Sequence, residues 1–131
     1  MSELPFYLAA FVVVLGVLIV VHEYGHYAAA RWVGVKVLRF SVGFGRVIWQ
    51  RRLGRDQTEW AISVFPLGGY VKMLDEREGE VATAEQHRAF NRQSVGARSL
   101  IVAAGPLANF ALAILLYWVV FISGSEELLP V

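Results

Sequence analysis

The sequence predicts an α-helical membrane protein with a small β insertion: two transmembrane helices flanking a roughly four-stranded, membrane-associated sheet on the cytoplasmic side. Three observations carry that expectation. The chain is 131 residues long and 56% hydrophobic, with a mean hydropathy of +0.51, above what a soluble domain of this size carries. Two uncharged runs, Leu4–Val21 and Ser99–Ser125, bracket it. All 12 Lys and Arg residues fall between Arg31 and Arg98, in the segment that joins the runs, while the tails hold only Glu3, Glu126 and Glu127.

Length and charge justify the two spans. At about 1.5 Å per residue the first run extends roughly 27 Å, close to a bilayer core, and the second is long enough to cross with some tilt. Two spans put both termini on one side. The positive-inside rule makes residues 34–98 cytoplasmic and both termini extracytoplasmic, with the lipid bilayer as the protein's surroundings. The first run lacks a basic leading segment and carries its basic flank on the wrong end, so it does not read as a cleavable signal peptide. The absence of cysteine excludes disulfides and thiolate metal ligands. No basic surface interleaved with aromatics points to nucleic acid.

Residues 1–33 hold the first transmembrane helix, rich in Leu, Val and Ala, which Gly34 can stop. Residues 34–74 form the membrane-associated β region. Val35–Phe40 alternates imperfectly, Val47–Gln50 is β-prone, Thr58–Val64 alternates cleanly, and Tyr70–Leu74 supplies a fourth strand. Gly43-Phe44-Gly45 and Pro66-Leu67-Gly68-Gly69 separate them. Residues 75–98 are a charged cytoplasmic connector, partly helical near its end. Residues 99–125 form the second transmembrane helix, which Ser94 or Ser99 can begin and Pro106 should kink. Residues 126–131 begin an extracytoplasmic part that the sequence does not contain.

The chemistry sits in Val20-Val21-His22-Glu23-Tyr24-Gly25-His26. His22 and His26 are four apart, share one helix face and can grip one metal ion. Glu23, following the first ligand, can reach a water at a zinc ion without ligating it, and so serve as general base. His-Glu-x-x-His is thus a peptide-hydrolysis motif with a mechanism. Three ionisable groups one turn apart in or beside a span are costly, and such groups are usually functional. A zinc site for catalysis needs a third protein ligand. His87, in the connector, reads as solvated, and Asp75 as a turn residue. The alternative from the residues alone is a membrane metal-binding or metal-transport module, although both spans are apolar apart from this cluster and Asn109.

The stretches VVHEYGHYAAARWVGVKVLRFSVGFG, FPLGGYVKMLDE, FNRQSVGAR and AAGPLANF resemble the amino-terminal part of the bacterial site-2 proteases, over residues from about Phe11 to Ile122. The resemblance implies an intramembrane zinc metalloprotease of the bacterial inner membrane. Such enzymes cleave single-span membrane proteins, anti-sigma factors among them, in regulated intramembrane proteolysis and stress responses. It places the family's zinc ligands on His22 and His26 and its catalytic glutamate on Glu23. The family's third ligand is an aspartate in a Leu-Asp-Gly motif on a later membrane helix. That motif is missing here, since Leu74-Asp75-Glu76 has the wrong neighbour and location. The family's PDZ domains are missing too, so the chain reads as an amino-terminal fragment that is inactive alone.

Substrate handling follows from the same residues. A substrate helix must unwind before its carbonyls can be attacked, and adding it as a strand to a sheet edge achieves this. Gly43, Phe44 and Gly45, with Gly68, Gly69 and Tyr70, would allow close backbone approach. Gly105 and Asn109 match a Gly-x-x-x-Asn pattern of the family, and Asn109 is the candidate to hydrogen-bond the substrate or the developing oxyanion.

Overall fold

In the computed structural model the described residues are 3–124. The expected start of an extracytoplasmic part at 126–131 lies outside them, as does Ser125. Helix α1 spans Leu4–Trp32 and helix α2 spans Val95–Ile122. Both are long and apolar enough to cross a membrane. Between them lie strands β1 (Val37–Leu53) and β2 (Thr58–Met73), which pair as a two-stranded antiparallel sheet.

Local chemistry sets the helix ends. Gly34 adopts φ +92°, a left-handed conformation that costs glycine little. The Gly34 N–H then donates to the Arg31 carbonyl and the Val35 N–H to the Ala30 carbonyl, closing α1 in a Schellman motif. Val35 and Ala30 are both fully buried, supplying the apolar contact that accompanies it. Ser94 caps α2, its hydroxyl accepting from the Ala97 N–H at 3.1 Å. The helix then runs on through Pro106 to Ile122.

The four expected strands are joined into two. The glycines that were to end them instead bend them: Gly43, Gly45 and Gly68 all take positive φ, between 86° and 90°. A bend without a break lets each strand pair twice. Residues Arg39–Val42 lie between two parts of β2, Arg39 facing both Glu59 and Lys72, and Phe40 both Trp60 and Val71. The other half of β1 continues the ladder, from Trp49 against Ile62 to Leu53 against Thr58.

The bent end of the sheet is apolar and exposed at Phe44, Ile48 and Phe65. It lies along α1: a Cβ on Gly16 would stand 3.5 Å from the Pro66 carbonyl oxygen, and one on Gly69 would stand 3.6 Å from Ile19. Nearer the end of α1, Tyr27 packs edge-on against Phe40 and Trp60, whose rings stack at 4.7 Å. This aromatic group, with Ala30, Val35, Val37 and Ile101, forms the core that fixes the sheet on the two helices.

The connector is docked rather than loose. It carries two short 3-10 turns, Thr83–Arg88 and Phe90–Arg92, around a fully buried Ala89. The Lys36 N–H donates to the Arg88 carbonyl and the Phe90 N–H to the Leu74 carbonyl. The Arg88 guanidinium grips Asp56 through two 2.7 Å bonds, tying the connector to the turn between β1 and β2. Those bonds hold the Asp56 carboxyl below its ordinary value of 3.8. The pair therefore stabilises the fold fully above that value, and its contribution fades as pH falls towards the lowered folded one. We expect Asp56→Asn to cost about 1 kcal/mol at pH 7, with the gap to wild type closing in acid. Thermal unfolding of the full-length protein from pH 7 to pH 3 checks this. A variant as stable as wild type at pH 7 would contradict it.

Candidate metal centre

His22, Glu23 and His26 occupy the last third of α1, where α2 crosses it. Glycines on both helices allow the crossing to be close. A Cβ on Gly25 would collide with the Ala104 carbonyl of α2. A Cβ on Gly105 would lie 2.5 Å from His26 Nε2 and 2.9 Å from His22 Cε1. The glycine inside the His-Glu-x-x-His motif thus seats α2, and a glycine of α2 makes room for the histidine rings.

The two imidazoles converge. Their rings meet edge to face at 4.7 Å, and their Nε2 atoms are 3.1 Å apart. Two nitrogens on one tetrahedral zinc, each with a bond of about 2.0–2.1 Å, would be separated by about 3.3 Å. His26 Nδ1 lies 2.7 Å from the Ile101 carbonyl oxygen. Only a protonated Nδ1 can donate there, so His26 Nε2 is the unprotonated nitrogen, able to accept from the His22 Nε2–H across the 3.1 Å gap or to turn its lone pair to a metal. This donor set fits zinc on two sides. Among the described residues no group of three or more His, Cys, Asp and Glu side chains could hold a metal ion.

Glu23 is half-buried and lines a cavity of about 370 Å³ with His26, Val71, Met73, Asp75, Phe90 and Ile101. Asp75 stands on this wall, but its oxygens are engaged by Arg77, at 2.6 Å from Nη2 and 3.0 Å from Nε. Hydrogen bonding from Arg77 holds its carboxyl below the ordinary value. His87 lies in the first 3-10 turn and does not line that cavity.

The remaining candidates are distributed along the approach. Gly69 and Tyr70 precede the cavity-lining residues Val71 and Met73 on β2. The strand partners of Gly69–Met73 all belong to β1, so among the described residues the opposite edge of this stretch carries no strand. Gly43, Phe44, Gly45 and Gly68 form the bends, with the Phe44 ring pressed against Gly68 so closely that a Cβ there would collide. They are not part of the cavity wall. Asn109 lies one turn beyond Gly105 on α2, and its Oδ1 is buried without a hydrogen-bond partner among the described residues.

Two long helices, each apolar enough to cross a membrane, meet at a His-Glu-x-x-His face. The family model for peptidase family M50 matches residues 10–129, and the chain belongs to that family. It is similar to the regulator of sigma-E protease RseP of Escherichia coli K12, 56% identical over 124 residues, covering 95% of this chain and 27% of that protein. Protease RseP of Yersinia pestis is 53% identical over 131 residues, covering 100% of this chain and 29% of that protein. A Vibrio cholerae protein whose name assigns it provisionally to the zinc metalloproteases is 50% identical over 131 residues and likewise covered to 29%. The chain therefore spans less than a third of the length of these relatives.

Proposed function

We propose that this chain is the amino-terminal part of an intramembrane zinc endopeptidase that hydrolyses peptide bonds within the membrane segments of single-span proteins, of which an anti-sigma factor is the type substrate. The observation that carries the reading is the pair of Nε2 atoms 3.1 Å apart, with the His26 ring locked by the Ile101 carbonyl. His22 and His26 would hold zinc, and an aspartate on a helix beyond residue 131 would complete the site. When bound, zinc supplies the Lewis acidity that activates water and polarises the scissile carbonyl. Glu23 accepts the proton of the attacking water and returns it to the leaving amine. Because two ligands leave a zinc site incomplete, the chain alone is inactive.

The free edge of Gly69–Met73 offers backbone N–H and C=O groups to an unwound substrate beside Glu23 and His26, so the substrate would add as a strand. The bends at Gly43–Gly45 and Gly68 let the sheet follow α1 into the membrane. Asn109, its amide oxygen unpaired, would hold the substrate backbone or the developing oxyanion through its N–H₂ group. The protein would lie in the bacterial inner membrane, with residues 34–98 on the cytoplasmic side, both ends of the chain outside, and PDZ domains in the part that follows.

The test uses the full-length protein in detergent with a panel of single-span membrane substrates. Cleavage should stop on chelation and return with stoichiometric zinc. Cleavage indifferent to chelation would reject a zinc peptidase. In the same assay Asn109→Leu should reduce turnover about 10²-fold, and normal turnover would remove Asn109 from the mechanism.

A further inference from the structure

The face of the sheet turned away from α1 carries a row of charges that peptide hydrolysis does not use. Phe40 and Trp60 point towards Tyr27 of α1, so their neighbours Arg39 and Glu59 point the other way. The register extends this row across the sheet: Arg52 stands opposite Glu59, Glu59 also opposite Arg39, and Arg39 opposite Lys72. Three cations thus share one carboxylate. Like charges set directly opposite one another, as in Arg39 and Lys72, are destabilising.

The neighbouring charges do not relieve the excess. A cavity of about 420 Å³ is walled by this row together with Lys36 and Asp56. Both Asp56 oxygens are taken by Arg88, and Lys36 is paired with Glu85 at 2.7 Å. Arg39 reaches Glu59 only at 3.6 Å, and its guanidinium is steadied over the Tyr70 ring at 5.9 Å. Its Nε is buried and, among the described residues, has no hydrogen-bond partner. The Arg39 guanidinium, flanked by Lys72 on one side and by Glu59 with Arg52 beyond it on the other, keeps its outer nitrogens towards this cavity, and a phosphate accepts from such a fork.

We propose that Arg39, Arg52 and Lys72 form a binding site for a phosphate group, the chemistry shared by anionic phospholipid headgroups and free phosphate. Arg39 and Arg52 stand away from the cavity of Glu23 and His26, while Lys72 lines both cavities; the phosphate site does not rest on the protease reading, so failure of that reading would leave it standing.

The test places the full-length protein in phosphatidylcholine nanodiscs. Thermal unfolding and retained phospholipid, counted by native mass spectrometry, are followed with phosphatidylglycerol added to the discs or inorganic phosphate added to the buffer. Wild type should gain stability and retain phosphatidylglycerol. Arg52→Gln should weaken retention about fivefold, and Arg39→Gln/Arg52→Gln more than about tenfold. Arg55→Gln, on the exposed turn between the strands, should bind as wild type. Stabilisation by phosphatidylglycerol alone identifies a lipid site, and stabilisation by both identifies a site for phosphate itself. The proposal is overturned if neither ligand stabilises wild type, or if Arg52→Gln, whose exposed side chain makes it safe for folding, binds like wild type.

Discussion

Glu23→Gln is expected to lower peptide-bond hydrolysis by the full-length protein about 10²–10⁴-fold, the usual contribution of a positioned general base. Bound zinc and substrate affinity should stay near wild type. Glutamine keeps the volume and the hydrogen-bonding reach of the side chain but cannot take a proton from water. Glu23 follows His22 directly and shares a cavity wall with His26, so it stands beside both proposed ligands. The measurement is the rate of cleavage of one single-span substrate, with zinc determined on the same samples. A variant that still cuts at wild-type rates would move the base elsewhere. One that loses zinc would make Glu23 a ligand.

Gly105→Ala is expected to weaken zinc binding about 10–100-fold, the cost typical of disturbing the groups that orient metal ligands. Hydrolysis should fall with it. The added methyl would lie 2.5 Å from His26 Nε2 and 2.6 Å from Cε1, and 2.9 Å from His22 Cε1, inside van der Waals contact with both rings. The obstacle is a pair of aromatic rings on a facing helix, so relief requires the rings to turn or the helices to part. Either movement pulls His26 Nδ1 from the Ile101 carbonyl, four residues earlier on the same helix as Gly105. Gly96→Ala is the control, since a Cβ there meets only Ser94 Oγ, at 3.9 Å. Equal zinc affinity in both variants would show that the crossing is looser than this geometry.

Much of this was legible in the residues, and what was hidden has physical reasons. The apolar runs, the stop at Gly34, the cap at Ser94 and the shared face of His22 and His26 follow from local periodicity and cap chemistry. The strand count did not follow. Glycine marks both turns and bends, and only the pairing partners decide which, so Gly43, Gly45 and Gly68 read as breaks where the ladder continues. Ile101 gave no signal because it acts through a backbone carbonyl, and its side chain reads as one more apolar residue of a membrane helix. Gly25 stood only inside the histidine motif and Gly105 only in a Gly-x-x-x-Asn pattern; that Gly25 seats Ala104 and Gly105 seats the two histidine rings is a tertiary fact between helices. The connector's composition read as a charged cytoplasmic segment, partly helical near its end, with His87 solvated. Its Arg88 instead pairs with Asp56 of the turn between β1 and β2 and fastens it to the sheet, while Glu76 and Arg92 pair within it.

The most direct measurement is X-ray absorption at the zinc edge on the full-length protein, wild type and His22→Ala/His26→Ala. The geometry calls for one zinc in wild type with two imidazole nitrogens at about 2.0–2.1 Å and oxygen donors completing the shell, and for loss of that shell in the double variant. A zinc shell without imidazole, or one unchanged when both histidines are gone, would contradict the assignment of the metal to His22 and His26.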